Sequence, residues 1–214
     1  MVEILPEKLL IKRNVDDDCV NFYYRPVVGM FYRKRLSMVY NLMKSEKYGR
    51  ILEIGYGSGV FMPALQKHGK ELFGIDIHDY HSEVKQILAK AGIKAELQYG
   101  DIGKIPHSDR SFDCIVSISV LEHVRDLDTV IDEIKRVLRP GGTLVAGFPT
   151  RNAVSSFLFE MLKFNHEENH PSDQNRIIGA IQKKMKVRNI TRFPSFVPGG
   201  LSLYNAVKAI NEQP

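Results

Sequence analysis

The sequence has only two cysteines, Cys19 and Cys114, among its 214 residues. They form no C-x-x-C pair, and Cys114 lies in an apolar run that is typical of a buried strand. This scarcity excludes a disulfide framework and a cysteine zinc site. No stretch reaches the roughly 20 consecutive apolar residues that a membrane-spanning helix needs, so we expect no membrane span.

The first ten residues, MVEILPEKLL, lack the basic start and apolar run of a signal peptide, so we expect a cytoplasmic protein. The net charge is +5, with basic clusters at residues 33–35 and 183–188. Neither cluster is interleaved with exposed aromatic residues, as in proteins that bind single-stranded nucleic acid. The charge pattern therefore favours solvated helix faces over a nucleic-acid surface. No pattern indicates an oligomeric state.

Short apolar runs alternate with amphipathic segments from residue 50 onward. This rhythm predicts parallel strands joined by right-handed crossovers, with helices on both faces of one sheet. Such sheets bind ligands at the carboxyl ends of their strands. The pattern predicts strands at residues 51–54, 71–76, 95–99, 112–118 and 143–148, helices at 60–68, 82–91 and 127–138, and a helix stop at 139–142.

The two ends of the chain have a different character. Residues 1–48 contain a helical pattern at 30–43, and we expect them to form a helical extension, or lid, packed on a domain of residues 49–214. No internal repeat or linker divides that domain. Beyond Pro149 the pattern predicts helices at 153–164 and 173–184 and strands at 186–192 and 201–210.

Three glycines, Gly55, Gly57 and Gly59, alternate between the first predicted strand and its helix. Glycine allows positive φ angles and close approach of a ligand to the main chain, and a helix N-terminus favours a carboxylate or phosphate. The spacing is neither the G-x-G-x-x-G of dinucleotide sites nor a P-loop. On this motif alone, a tight turn without a ligand remains an alternative.

Three acidic residues end three consecutive predicted strands: Glu53, Asp76 and Asp101. A carboxylate at the position of Asp76 can accept hydrogen bonds from both ribose hydroxyls. Either aspartate alone could be a turn or helix-capping residue. Because the carboxyl ends of parallel strands meet at one edge of the sheet, the three acids together predict a binding site.

The segments ILEIGYGSG, GIDI, YGDI, FDCIVSISVLEHV and VLRPGG occur in an order and spacing that resemble the class I S-adenosylmethionine-dependent methyltransferases, specifically their small-molecule (type 11) branch. The resemblance covers about residues 48–150 strongly and the C-terminal hairpin loosely. It implies a Rossmann-like α/β fold with a seven-stranded, mostly parallel sheet of order 3-2-1-4-5-7-6, in which the seventh strand is antiparallel. It also implies S-adenosylmethionine as cofactor and S-adenosylhomocysteine as product.

The resemblance assigns roles to residues around the three acids. Glu53 would hold the methionine amino group of the cofactor, Asp76 the ribose hydroxyls, and Asp101, which follows Gly100, would face the adenine amino group. The three loop glycines would lie under the methionine part of the cofactor. Ile77 would pack on adenine, and the Ile102 amide would bind the adenine ring. The main chain at Ser117 and Ser119 would lie near the methionine amino group. Tyr56 departs from the family, which commonly has Cys, Ala or Pro there, so its ring must be accommodated at the loop.

Methyl transfer is an in-line displacement in which the protein supplies mainly placement, so a general base is needed only if the acceptor must lose a proton. The candidates for a base are His123, His166, His170, Tyr23 and Tyr24. Position favours a capping or loop-orienting role for His123 and packing for the tyrosines. No catalytic residue is assigned.

Residues 166–170 read HEENH and match the H-E-x-x-H zinc signature. Pro171 follows at once and disfavours helical angles at His170, while the stretch is polar and has no evident third ligand. We therefore expect no metal site and interpret the segment as a loop near the substrate pocket, where a histidine that contacts substrate remains open.

The leading hypothesis is an enzyme that methylates a small molecule. An RNA or protein acceptor is the second hypothesis, motivated by the basic clusters; no D/N-P-P-Y/F follows the fourth strand and no Pro-Cys nucleophile exists. The glycine spacing opposes a nicotinamide oxidoreductase. A non-catalytic protein that binds S-adenosylmethionine or a nucleotide stays open as a third hypothesis.

Overall fold

The computed structural model describes residues 2–10, 19–152, 171–198 and 201–212. Strands and helices alternate there as the sequence predicts. The strands are β1 (Tyr48–Ile54), β2 (Gly69–Asp76), β3 (Glu96–Tyr99), β4 (Phe112–Ile118), β5 (Leu138–Pro149), β6 (Lys186–Phe193) and β7 (Tyr204–Ile210). The helices are α1 (Val28–Met43), α2 (Met62–Gln66), α3 (His81–Lys90), α4 (Leu127–Val137) and α5 (Gln174–Lys184), with 3₁₀ turns at Glu7–Leu9, Cys19–Tyr24 and Leu121–His123.

The seven strands form one sheet of order β3-β2-β1-β4-β5-β7-β6. Strands β1 to β5 pair in parallel, whereas β7 is antiparallel to both β5 and β6. This topology confirms the predicted Rossmann-like α/β fold, its strand order and its antiparallel seventh strand. The strand order reverses between β1 and β4, and ligands bind beside such a reversal in open α/β sheets.

The core lies in two layers, one on each face of the sheet. On one face α1 packs on β5 and β7, α2 on β2 and α3 on β3; on the other, α4 packs on β5 and α5 on β6. Ile51 belongs to the first layer and Leu52 to the second, and both are fully buried. Because β1 and β4 are covered on both faces, they read as continuous apolar runs rather than alternating ones.

Helix α4 shows how local sequence fixes one of these elements. The Asp126 side chain caps its start by accepting a hydrogen bond from the Thr129 amide at 3.1 Å. Its buried stripe occupies one face at helical spacing, and each such side chain stabilises the fold by about 1.5–3 kcal/mol. The stripe comprises Leu127, Val130, Ile131, Ile134 and Val137.

Three predicted boundaries were wrong. The helix predicted at 60–68 is only Met62–Gln66, because Pro63 fixes its start and β2 already begins at Gly69. The fifth strand, predicted at 143–148, begins at Leu138, and its register with β4 shifts between Phe112 and Cys114. The helix stop predicted at 139–142 is confirmed, since α4 ends at Val137. The last strand begins at Tyr204 rather than at residue 201.

Three observations concern the remaining segments. The helix predicted at 153–164 lies outside the described residues. No helix in the described part of the chain is long and apolar enough to cross a membrane. The predicted lid segment contributes to the core, since Val2, Leu5 and Leu36 are buried in the layer that contains α1.

Candidate functional site

A cleft of about 410 Å³ lies at the carboxyl ends of β1 to β4. The parallel register brings the strand ends together: Glu53 pairs with Gly74 of β2 and Val116 of β4, and Asp76 pairs with Tyr99 of β3. Six residues assigned to the cofactor by resemblance line this one cleft: Gly55, Asp76, Ile77, Gly100, Asp101 and Ile102.

The turn after β1 depends on glycine for two different reasons. Gly55, Gly57 and Gly59 all adopt positive φ, at 71°, 52° and 71°, where other residues are strained. A Cβ on Gly55 would also overlap the Cγ2 of Val120, whereas a Cβ on Gly57 would meet nothing within 4 Å. Gly55 therefore lies tightly against the segment after β4, and Gly57 leaves open space of the kind that a ligand can occupy.

Asp76 joins this turn to the end of β2. Its Oδ2 accepts a hydrogen bond from the Gly57 amide and its Oδ1 from the Ile77 amide, both at 2.8 Å. The carboxylate is thereby held in one orientation at the cleft. Beside it, the Ile77 side chain is 71% exposed, an unusual state for isoleucine that suits the flat face of an aromatic ligand.

Asp101 organises the turn after β3. Its Oδ1 accepts a hydrogen bond from the Gly103 amide at 2.7 Å, and the preceding Gly100 amide donates to the Asp76 carbonyl at 3.0 Å. The turns after β2 and β3 are thus bonded to each other, and Asp76 and Asp101 line adjacent parts of the same wall.

Glu53 and Ser117 lie deeper, in the strands themselves. Glu53 is 3% exposed and its Oε2 has no hydrogen-bond partner among the described residues; the Ser117 hydroxyl is fully buried and has none among them either. Burial, together with the nearby negative charge of Asp76, raises the pKa of Glu53 well above its usual range. A buried polar group without a partner costs about 1–3 kcal/mol. Both groups therefore fit a site that a polar ligand, such as a cation facing Glu53, completes.

Tyr56, the departure from the family pattern, is accommodated beneath the loop. Its ring is 3% exposed and packs edge-on against His78, with the ring centroids 4.9 Å apart. A Cβ on Gly74 would lie 2.7 Å from the Tyr56 ring. The absence of a side chain at Gly74 on the neighbouring strand therefore makes the room that tyrosine needs.

Ser119 lies at a junction between strands. It adopts a left-handed φ of 56°, its amide donates to the Gly147 carbonyl at 2.7 Å, and its hydroxyl lies 3.2 Å from the Tyr204 hydroxyl. The structure thus places Ser119 toward β5 and β7, on the other side of the β4 end from Asp76 and Asp101.

The predicted catalytic candidates are dispersed. His123 is exposed and lines the cleft together with Asp76 and Asp101. The Tyr24 hydroxyl donates to the Leu5 carbonyl, and burial with the charge of Glu7 raises the pKa of Tyr24 to about 12, which makes it a poor proton acceptor. His166 and His170 lie outside the described residues.

Tyr23 is the remaining predicted candidate, and Glu122 is a further ionisable residue beside His123. The Tyr23 hydroxyl lies 3.4 Å from an Arg35 guanidinium nitrogen. Glu122, which sequence reasoning missed, is 2% exposed and its Oε2 has no hydrogen-bond partner. Burial raises the pKa of Glu122 to about 8, although the positive charge of Arg35 opposes the increase. The sequence places Glu122 next to His123, but it could not show that Glu122 is buried whereas His123 is exposed.

A sheet of this order, with a glycine turn after β1, acids at the ends of β2 and β3 and a buried acid in β1, is the arrangement that the sequence resemblance to class I methyltransferases implied. The family described as "Methyltransferase domain" matches residues 52–146. This match spans β1 to β5 and therefore contains every part of the cleft described above.

Individual proteins agree with the family match. A ubiquinone biosynthesis O-methyltransferase of Paracidovorax citrulli is 30% identical over 112 residues, which cover 51% of this chain and 47% of that protein. A 24-methylenesterol C-methyltransferase 2 of Oryza sativa is 35% identical over 112 residues, covering 50% and 31%. The chain spans about half the length, or less, of these two curated relatives.

A solved structure covers more of the chain. The N-methyltransferase NodS of Bradyrhizobium japonicum, crystallised with S-adenosyl-l-homocysteine, superposes with a TM-score of 0.69 at 21% identity, covering 93% of this chain and 94% of that one. Residues 52–146 are thus similar in sequence to methyltransferase domains, and the sheet that contains them has the fold of the solved methyltransferase.

Cofactor binding is expected to be accompanied by proton release from Glu53. Burial and the charge of Asp76 raise the pKa of Glu53 in the free protein, whereas a bound ammonium group would lower it by favouring the carboxylate. Calorimetric titration with S-adenosylmethionine in buffers of different ionisation enthalpy measures the number of protons released. Glu53→Gln should abolish the release, and Glu83→Gln, at an exposed position on α3, should leave it intact. Proton release unchanged in Glu53→Gln would contradict this assignment.

Proposed function

We propose that this chain transfers the methyl group of S-adenosylmethionine to a small-molecule acceptor. When bound, the cofactor supplies an electrophilic methyl group on its sulfonium. The observation that carries the proposal is the convergence of Asp76, Asp101 and the turn at Gly55 on one cleft, with the buried Glu53 behind it. The names of the relatives, which include ubiquinone and sterol methyltransferases, support a small-molecule acceptor.

Each cleft residue takes a role that suits its chemistry. Asp76, whose two oxygens are already oriented by amide donors, would accept hydrogen bonds from the ribose hydroxyls. The exposed Ile77 side chain would pack on the adenine ring, and Asp101 with the Ile102 amide would bind the edge of that ring. Glu53 and the Ser117 region would hold the amino group of the methionine part.

The N-terminal segment would act as a lid over the acceptor side. Arg35 of α1 lies 3.4 Å from the Tyr23 hydroxyl and over the Tyr204 ring at 5.5 Å, while Tyr204 contacts Ser119 at the end of β4. These contacts tie α1 and the 3₁₀ turn Cys19–Tyr24 to the sheet beside the cleft. A site covered in this way favours a small molecule over a folded macromolecule.

The proposal is tested by incubating the protein with methyl-labelled S-adenosylmethionine and, separately, with small-molecule, RNA and protein fractions of a cell extract. We expect label in the small-molecule fraction, and none with Asp76→Ala as the matched inactive control. Label in the RNA or protein fraction would contradict the acceptor class. Cofactor binding without transfer to any fraction would instead indicate a non-catalytic protein.

A further inference from the structure

Polar and aromatic groups from five separate segments meet at the end of β4, on the side toward β5 and β7. We call this group the Arg35 cluster. It is built by α1, by the 3₁₀ turns Cys19–Tyr24 and Leu121–His123, by the residue that follows β4, and by the start of β7. Its members are Tyr23, Tyr32, Arg35, Ser119, Glu122 and Tyr204.

Arg35 is the cation at the centre of this cluster. Its guanidinium lies over the Tyr32 ring, 4.0 Å from the centroid, and over the Tyr204 ring at 5.5 Å. One terminal nitrogen lies 3.4 Å from the Tyr23 hydroxyl, but the buried Nε has no hydrogen-bond partner. A guanidinium has five N–H donors, so Arg35 is held in place by ring stacking while part of its donor capacity remains unused.

Glu122 is the acid of the cluster. A backbone hydrogen bond reaches the carboxyl, but its Oε2 is buried and has no hydrogen-bond partner among the described residues, and such a buried polar atom normally has one. The carboxyl interacts electrostatically with Arg35 and with Tyr204. Its backbone is fixed, since the Glu122 carbonyl accepts a hydrogen bond from the Ser172 amide at 3.2 Å. The cost of such an arrangement indicates a functional group rather than a packing residue.

The position of Glu122 places it next to the cofactor cleft. The side chains of Val120 and His123, on either side of it in the chain, both line the cleft, while the electrostatic contacts of Glu122 are to α1 and β7. Glu122 thus belongs to the turn that borders the cleft, and the charge of Arg35, from the segment that we propose as the lid, acts on its carboxyl. An acceptor held between that segment and the cleft would lie near this turn.

We propose that Glu122 accepts the proton from a weakly acidic hydroxyl, a phenol or an enol, as that oxygen is methylated. This inference rests on the proposed methyl transfer. In the step, the acceptor oxygen forms a bond to the methyl carbon, the bond from that carbon to the cofactor sulfur breaks, and the hydroxyl proton passes to the Glu122 carboxylate. A neutral ether, S-adenosylhomocysteine and a neutral carboxyl result.

Charge favours a hydroxyl over an amine. The Arg35 guanidinium would stabilise negative charge that develops on an acceptor oxygen, and it would repel an ammonium group. A general base works best when its pKa lies near the operating pH, and the pKa of Glu122 is about 8. Of the other titratable groups around it, Tyr204 stays neutral because burial raises its pKa, and His123 lies in the same turn.

The first test compares wild type with Glu122→Gln, using methyl-labelled S-adenosylmethionine with catechol as the hydroxyl probe and benzylamine as the amine probe. We expect O-methylation of catechol and a loss in kcat of about 100-fold or more for Glu122→Gln at pH 7, with KM for the cofactor within about twofold. The deficit should shrink as pH approaches the pKa of the probe hydroxyl, because the phenolate then forms in solution. A merely structural role would lower the rate equally at every pH.

Two further comparisons make this test decisive. Glu83→Gln, the same exchange at an exposed position on α3, should retain kcat within about fivefold. Wild-type kcat in Glu122→Gln, or methylation of benzylamine alone, would overturn the proposal. If neither probe accepts label but the cell extract does, a nitrogen- or carbon-methylated product from the extract would overturn it as well.

The second test needs no acceptor. Carbon-13 NMR of protein labelled at the glutamate δ carbon, with Glu122→Gln to assign the resonance, should show the carboxyl titrating with a midpoint near 8. Arg35→Met should move that midpoint upward, since a positive charge that favours the carboxylate is removed. A midpoint below about 6 would overturn the proposal. If the extract accepts no label at all, the proposed methyl transfer fails, while the titration still decides the state of Glu122.

Discussion

Asp76→Ala is expected to raise the Kd for S-adenosylhomocysteine by about 100-fold or more, equivalent to about 2.7 kcal/mol. Hydrogen bonds to a charged group contribute about 1.5–3 kcal/mol each, and the proposed role of Asp76 is to bind both ribose hydroxyls. The substitution also frees the Gly57 amide, which donates to Asp76 at 2.8 Å. The glycine turn, which we propose lies under the methionine part of the cofactor, would lose this hydrogen bond to β2 at the same time.

Titration calorimetry with S-adenosylhomocysteine measures this loss without requiring an acceptor. The matched control is Asp79→Ala, the same exchange at an exposed position three residues further along the chain. We expect Asp79→Ala to change the Kd by less than about twofold, because an exposed acid beyond the strand end contributes little. Binding by Asp76→Ala within threefold of wild type would remove Asp76 from the site.

Gly55→Ala is expected to lower the free energy of unfolding by about 3 kcal/mol or more, and Gly57→Ala by only about 1 kcal/mol. Both glycines have positive φ, so alanine carries a similar backbone cost at each position. Only at Gly55 does the added Cβ overlap another group, the Cγ2 of Val120; at Gly57 it enters open space. Urea unfolding of the two variants measures the difference.

A double variant separates the two contributions. Val120→Ala removes the atom that the new Cβ would overlap, so Gly55→Ala should cost only about 1 kcal/mol in the Val120→Ala background, close to the cost at Gly57. Equal destabilisation by Gly55→Ala and Gly57→Ala would show that backbone strain alone determines the effect. Gly57→Ala should nevertheless weaken cofactor binding, because the alanine side chain would occupy the space that we propose for the methionine part of the cofactor.

Patterns within short segments predicted much of the fold. Strands β1 and β4 are covered on both faces, so their apolar runs were recognisable, and the stripe of α4 was recognisable because its apolar residues recur at helical spacing. The strand order came from the resemblance of motifs, since no local pattern encodes which strands pair. One boundary error occurred where pairing extends a strand beyond its local pattern, since Leu138 pairs with Phe112 of β4 ahead of the irregular residues 139–142.

For the functional site, too, local sequence predicted some features and only the tertiary structure showed others. The sequence by itself located the glycine turn and the acids near the ends of β1, β2 and β3, because these features depend on the position of each residue within its own strand or turn. The kind of cofactor came from the resemblance of the motifs to a known family. Only the tertiary structure decided that Tyr56 fits under the loop beside Gly74 and that Glu122, not His123, is the buried ionisable group. Burial and pKa depend on groups that folding brings from distant segments, here Arg35 from α1 and Tyr204 from β7, and the local sequence around Glu122 contains neither.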